Sequence, residues 1–502
     1  MSSQFARAAV LATLAAFFAP ICRPQDQPEA PTIIPVTNLP KLLPSEAQFA
    51  KEGVVYEKIA TVINYDAAGL GEKTLTVVAR VQSEGAVHEA GLLTFSYASG
   101  EEKVEPVYVR VRKPDGTVVN TPAADAQDMP TEVTREAPFY SDLREIQIPV
   151  KSLSPGDKLE YQIRFVRQKS TAAGQFWGAL NFARHNVVLE ETVELSFPKD
   201  KYVLVLSPKD KPVIAEENGL RVYGWKISQL EPTVSGDKKK DKYDPDELPS
   251  VSYTTFHSWQ EVGEWYGSLA KDRTGVSPEI EAKAKELTQG KTTDDEKIEA
   301  IYHYVSTQVR YIGVAFGIGR YQPHSAETVL DNQYGDCKDK HTLLAALLKA
   351  AGYDAWPALI GSSLKLHPEL PSPAQFDHVI TVVSLGKREI WLDSTPEVTP
   401  YRLLMAQIRD KEALVIPTGG TPKLMRTPAD GPFPFIDSTT ATAKLDSQGT
   451  IDGHIDMELR GDTETTFREV FHGTSRSQWP EMAQNISQRM GFLGTVTNLD
   501  VS

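Results

Sequence analysis

The sequence predicts an α+β protein: an N-terminal antiparallel β-sandwich, then a mixed α+β core, then a further β-containing region. Three observations carry this expectation. Apolar and polar residues alternate in short runs between about 50 and 232, the apolar period becomes helical after a charged stretch at 236–249, and alternation returns at 451–460. Length agrees, since 502 residues at roughly 150 per domain give about three domains rather than one small module. With 40% hydrophobic and 24% charged residues the composition is that of a globular chain, which excludes disordered, collagen-like and polytopic membrane classes.

The elements follow in chain order. Arg7 precedes an apolar run from Ala8 to Phe18, which gives way to a polar, Pro-rich exit from Arg23 to Pro31. That is the grammar of a signal peptide, expected at 1–22, and the run is shorter than the roughly 20 residues that span a bilayer. The protein is therefore expected to be exported, periplasmic or extracellular, with no transmembrane helix after signal removal. Cys22 offers the alternative of a lipid anchor, although Ala19-Pro20-Ile21 before it fits a lipoprotein box poorly. A Pro-rich spacer occupies 23–49.

The β-sandwich is expected over 50–235. Val107, Val109 and Val111 alternate with Tyr108, Arg110 and Arg112 before the turn Lys113 to Thr117, and Leu159, Tyr161, Ile163 and Phe165 share a face after the turn Ser154 to Asp157. A charged linker is expected at 236–254, where Lys238, Lys239 and Lys240 sit among aspartates and read as a solvated segment. With a net charge of −14 and no longer basic run, nucleic acid is excluded as a partner. The core is expected over 255–400: Ser258 with Glu261 and Thr293 with Glu296 form capping boxes, and Ile298, Ile301, Tyr302, Val305 and Val309 make an apolar stripe. The region 401–502 contains a strand at 451–460 and a helical stretch from about 463 to 490. It ends as though a strand were beginning, the pattern of a truncated chain.

The chemistry concentrates in the core. Cys337, the single thiol left after signal removal, follows Asp336, a good N-cap, and opens a stripe of Leu343, Leu344, Leu347, Leu348 and Ala351 that closes at Gly352. The first position of a helix stabilises a thiolate through unpaired N–H groups and the helix dipole. Lys338 and Lys340 would add positive potential, which Asp336 and Asp339 oppose. Downstream, Phe376 to Val383 and Glu389 to Asp393 read as a hairpin turning at Gly386-Lys387. If Leu385 pairs with Arg388, His378 and Asp393 become diagonal neighbours on one face, within reach of a carboxylate–imidazole hydrogen bond. A thiolate, an imidazole and an orienting carboxylate make an acyl-transfer triad.

Through Gly335-Asp336-Cys337-Lys338-Asp339, Phe376-Asp377-His378-Val379 and Trp391-Leu392-Asp393-Ser394-Thr395, the sequence resembles the transglutaminase-like superfamily. Val309-Arg310-Tyr311, Tyr321 to His324 and Val329-Leu330 resemble its bacterial exported branch, in which a β-rich domain of unknown function precedes the papain-like, transglutaminase-like core. The resemblance implies Cys337 as nucleophile, His378 as general base and acid, and Asp393 as orienting carboxylate. The oxyanion would be met by the Cys337 N–H and an upstream donor, for which Tyr311, Gln322 and Tyr334 are the candidates.

The function expected is an exported cysteine acyl-transfer enzyme that acts on a peptide or isopeptide amide of a protein substrate, such as one of the cell envelope, through a thioester. Water resolving the thioester would make it a peptidase or amidase, an amine a transamidase. No cofactor is expected: calcium-loop spacing is missing, and Cys337 with His341, four apart on one helix, lacks the further ligands of a zinc site. His341 is expected at the helix surface or behind the triad. The alternative is a catalytically silent binding or scaffolding protein of the cell envelope. Oligomeric state is not legible.

Overall fold

The computed structural model describes residues 46–132, 134, 137, 142–231, 249–313, 321–363 and 365–501. The expected signal segment with Cys22, most of the Pro-rich spacer, 232–235 at the end of the expected sandwich and 236–248 of the expected linker lie outside the described residues.

Alternation builds the first part. Eight strands form one sheet in the spatial order Val213–Glu217, Leu220–Gln229, Val187–Pro198, Val54–Tyr65, Gly71–Val81, Lys158–Arg167, Glu102–Arg112 and Val118–Asn120. Neighbours are antiparallel except Val54–Tyr65 and Val187–Pro198, which run parallel. This departs from a purely antiparallel sandwich because those two strands are far apart in sequence and no hairpin fixes their direction. A second sheet of Leu92–Ala98, Leu143–Pro149 and Gln127–Pro130 contributes Leu93, Phe95, Ile146 and Ile148 to a core shared with Val77, Val109, Leu159, Tyr161 and Ile163. On the opposite face Glu160 pairs with Arg110 and Arg112, so each side of the strand carries the residues its period assigns.

A third sheet joins Leu204–Leu206, Val251–Thr254 and Trp177–Leu180. The last residues of the expected linker therefore form a strand, and all four are buried. Val251-Ser252-Tyr253-Thr254 carries no charge and packs Val251 and Tyr253 against Phe176 and Phe197.

In the core, the helices Trp259–Ala270, Pro278–Thr288 and Asp294–Gln308 begin at the side-chain caps Ser258, Ser277 and Thr293. They surround the helix Cys337–Ala350, of which Leu343, Leu344, Leu347 and Leu348 meet Ile298, Ile301, Val305, Val383 and Ile390. Gly352 ends it in the left-handed region at φ +91°, and the Tyr353 N–H reaches back to the Leu348 carbonyl at 2.9 Å. A five-stranded antiparallel sheet, in the order Arg388–Leu392, His378–Leu385, Asp354–Ile360, Glu412–Val415, Lys423–Arg426, packs on this helix. The final part is the hairpin Ile436–Leu445 with Ile451–Arg460, followed by the helices Asp462–His472 and Trp479–Arg489. The helical stretch expected as continuous is broken after His472, where Gly473 ends one helix and Pro480 opens the next.

Candidate active site

Cys337 is the first residue of its helix, and the Asp336 side chain caps it by accepting the Asp339 N–H at 3.2 Å. Gly335 is required just before, because a Cβ there would lie 2.7 Å from the Asp339 Cβ. Asp339 in turn grips the preceding loop, accepting the His324 backbone N–H at 2.8 Å and meeting its ring Nδ1 at 3.1 Å. Asp336, Lys338, Asp339 and Lys340 are all fully buried, which charged residues tolerate only when paired. The Lys338 ammonium bonds the Asp336 carboxylate. Burial pushes the Asp336 carboxyl up to about 6, against the pull of Lys338. Burial would raise Asp339 as well, but Lys338 and His324 outweigh it and hold that carboxyl at about 2. Lys340 turns to another helix, donating to the Ser306 and Val309 carbonyls at 3.1 and 2.6 Å.

His378 opens its strand, and the hairpin takes the register of a two-residue turn: Leu385 pairs with Arg388 and Thr381 with Leu392, with Gly386 at φ +64°. Asp393 follows directly after the return strand. Its Oδ2 meets His378 Nε2 at 2.9 Å, and its Oδ1 accepts the Thr395 N–H at 3.0 Å and the Thr395 hydroxyl at 2.7 Å. Cys337 lies close enough to His378 to contribute to the charge on the ring. Burial works against a charge on His378, yet the Asp393 carboxylate, its hydrogen bond and the nearby Cys337 prevail and hold the imidazolium well above its ordinary range. Asp393, also buried, is kept below the usual carboxylate range by His378 and Thr395. The Tyr302 hydroxyl fixes this corner from behind, donating to the Asp393 and Thr399 carbonyls, each at 3.1 Å.

A cleft of about 340 Å³ opens over His378 and Asp393, lined also by Tyr311, Ser362, Asp377, Thr395, Pro396, Met405, Gln407, Ile408 and Glu469. Cys337 is 2% exposed. The structure thus brings Cys337, His378 and Asp393 together with Tyr311, whose short strand Arg310–Tyr311 runs parallel to Tyr334–Gly335. Burial and the nearby charges of Cys337, Asp336 and Asp393 push the Tyr311 phenol up, so it stays a hydrogen-bond donor. It does not bring in Gln322, whose amide reaches the Leu269 carbonyl at 3.5 Å, or Tyr334, which packs beside Ala137, Leu143 and Ile312.

His341 is buried rather than at the helix surface, because the sheet covers that side of the helix. Its Nδ1 meets the Thr381 hydroxyl at 2.8 Å and burial lowers its pKa to about 3, leaving a neutral ring. Among the described residues no group of three or more His, Cys, Asp and Glu side chains could hold a metal ion. Two supports of the site escaped sequence reasoning. Thr395 was findable, since Asp-x-Thr allows the side chain to bond the backbone two residues on. Tyr302 was read only as part of an apolar stripe.

Residues 281–359 match the transglutaminase-like superfamily, and residues 67–234 match a domain of unknown function, DUF3857. Among solved structures, a candidate protease from Parabacteroides distasonis is similar over 75% of this chain and 72% of its own, with 16% identity and a TM-score of 0.62. A candidate cysteine protease from Cytophaga hutchinsonii overlaps 44% of this chain and 71% of its own at 17% identity, with a TM-score of 0.21. An M1 zinc metallopeptidase from Deinococcus radiodurans overlaps 40% and 42% at 9% identity and 0.23. The last two are too loose to bear on the fold. Among curated proteins no sequence matches. No described helix is long and apolar enough to cross a membrane. The α+β core around Cys337 and the β-rich domain in front of it agree with both family matches, so residues 281–359 are similar to the transglutaminase-like superfamily and the fold resembles that of the Parabacteroides protein.

Proposed function

We propose that this protein is an exported cysteine acyl-transfer enzyme that attacks a peptide or isopeptide amide of a protein substrate. The observation that carries the reading is the hydrogen-bonded run from Thr395 through Asp393 to His378, with Cys337 beside the ring. Asp393 on Nε2 leaves Nδ1 of His378 to serve the sulfur, so the imidazole takes the thiol proton and the pair rests as thiolate and imidazolium. The sulfur adds to the amide carbon, the oxyanion is met by the Cys337 N–H and the Tyr311 phenol, and His378 returns the proton to the leaving amine. Water or an amine then resolves the thioester.

The test needs no substrate: the pH dependence of iodoacetamide alkylation at Cys337 in the full chain, beside His378→Ala and Asp393→Ala. The expected result is fast labelling that persists well below the roughly 8.5 of an ordinary thiol and is lost in the His378 variant. Labelling that follows an ordinary thiol in all three proteins would overturn the reading and favour a silent envelope scaffold.

A further inference from the structure

Lys340 has no part in the triad chemistry, yet it is fully buried one helical turn from Cys337. A buried ammonium must be matched by acceptors, and here they are the Ser306 and Val309 carbonyls. Both lie at the C-terminal end of the helix Asp294–Gln308, where carbonyls lack intrahelical partners and the helix dipole is negative. Val309 leads straight into Arg310–Tyr311. On the other side, the Arg310 N–H donates to the Gln333 carbonyl and the Ile312 N–H to the Gly335 carbonyl, each at 2.9 Å. The backbone that presents Tyr311 is therefore held to the Cys337 segment twice, by a two-residue parallel pairing and by the ammonium of Lys340. The charges facing that ammonium from the neighbouring loop are Glu397 and Asp393. On its own helix His341 is neutral, while Asp336 and Asp339 are engaged by Lys338 and His324.

We propose that Lys340 is a positioning residue for acyl transfer: by holding the Val309 carbonyl it fixes the Tyr311 phenol relative to Cys337, so that the phenol meets the oxyanion. This rests on the reading of Cys337 as an acylated nucleophile. Burial lowers the Lys340 pKa to about 8, so the clamp loosens as pH rises through that value.

Two reagents separate the step that needs the phenol from the one that does not. With p-nitrophenyl acetate the Cys337 sulfur bonds the acetyl carbon through a tetrahedral oxyanion and p-nitrophenolate leaves. With iodoacetamide the sulfur displaces iodide from a methylene carbon and no oxyanion forms. In the full chain, Tyr311→Phe is expected to slow the acylation burst about 100-fold, the scale of one lost oxyanion donor. Lys340→Met should slow it about 10- to 100-fold, and each variant should keep alkylation within about 3-fold. The double variant should be no slower than Tyr311→Phe alone, because Lys340 acts through Tyr311. Losses that multiply, or alkylation that falls as far as acylation in Lys340→Met, would overturn the proposal.

A second measurement leaves Lys340 in place, in case its variant does not fold. The ratio of acylation to alkylation in the unaltered chain should fall as pH rises through about 8, and that fall should vanish in Tyr311→Phe. A ratio that is flat in both proteins, or falls equally in both, would refute the clamp. If Cys337 is not acylated at all, the nucleophile reading fails and takes this proposal with it; if it is acylated but the losses multiply, only the role of Lys340 falls.

Discussion

Asp393→Asn is the sharpest perturbation of the proposed triad, because the structure dictates which way the new amide must face. Oδ1 of Asp393 accepts two bonds from Thr395, the N–H at 3.0 Å and the hydroxyl at 2.7 Å, while Oδ2 alone serves His378 Nε2 at 2.9 Å. An asparagine will keep its carbonyl oxygen on the two Thr395 donors and turn its NH2 towards the imidazole. Nε2 must then accept, which moves the ring proton to Nδ1, the nitrogen left for Cys337. A protonated Nδ1 cannot take the thiol proton, so the ion pair is lost in both charge and tautomer. The lost charge-assisted bond is worth about 1.5–3 kcal/mol, or roughly 10- to 150-fold in the thiolate population at low pH. Alkylation of Cys337 by iodoacetamide at pH 6 should fall by that factor, whereas at pH 9 an ordinary thiol is largely ionised and the two proteins should agree within about 3-fold. Equal losses at both pH values would point to a distorted site, and no loss at pH 6 would refute the role given to Asp393.

The neutral His341 makes a prediction for stability. Its folded pKa is lowered to about 3, while the unfolded chain takes a proton near 6.5, so the unfolded state binds more protons below 6.5 and stability falls as pH falls. Chemical denaturation of the full chain should show a slope of about 1.4 kcal/mol per pH unit from this residue between roughly pH 6 and 3; His341→Gln should flatten the profile, and an unchanged slope would refute the neutral buried ring. Gly335→Ala puts a methyl 2.7 Å from the Asp339 Cβ and should lower the unfolding free energy by about 1–3 kcal/mol, seen as a lower urea midpoint. Lys338→Met breaks a buried pair and should cost about 3–5 kcal/mol of stability. Because Asp336 then takes a proton, alkylation of Cys337 at pH 6 should stay within about 3-fold of the unaltered chain; a loss on the scale of Asp393→Asn would make Lys338 the counter-ion of the thiolate.

How far the sequence could be read depended on the range of the interaction. The Cys337 helix was legible from end to end, because its N-cap Asp336, its leucine stripe and Gly352 are local signals. The hairpin register was legible for the same reason: Gly386 takes the left-handed conformation of a two-residue turn, and the pairing of Leu385 with Arg388 follows from it. The parallel pairing of Val54–Tyr65 with Val187–Pro198 was not legible, since nothing local joins those strands. Burial also misled where it came from two sides. The stripe Leu343 to Leu348 reads as one apolar face, but sheet and helices cover the rest of the helix too, which is how His341 and Lys340 came to be buried. A lysine written between Asp339 and His341 looks solvated, and only the approach of a distant helix end shows what its ammonium holds.

The buried charges around Cys337 therefore do not act as a common positive field, as the pattern of two lysines near a thiol first implies. Lys338 is cancelled by Asp336, Asp339 is held by Lys338 and His324, and the Lys340 ammonium is taken up by two carbonyls. What remains beside the sulfur is the helix N-terminus and the imidazole of His378, whose charge Asp393 supports from the far side of the ring. A dipole at a helix end contributes on the order of 0.3–1 kcal/mol at exposed sites and up to about 2 in partly buried ones. On the proposed reading that is too little alone, so the charge on His378 carries the rest, and Asp393 on Nε2 supports that charge. The buried lysines hold the scaffold in register, and on the proposed reading the reactivity of Cys337 depends on one carboxylate 56 positions further along the chain.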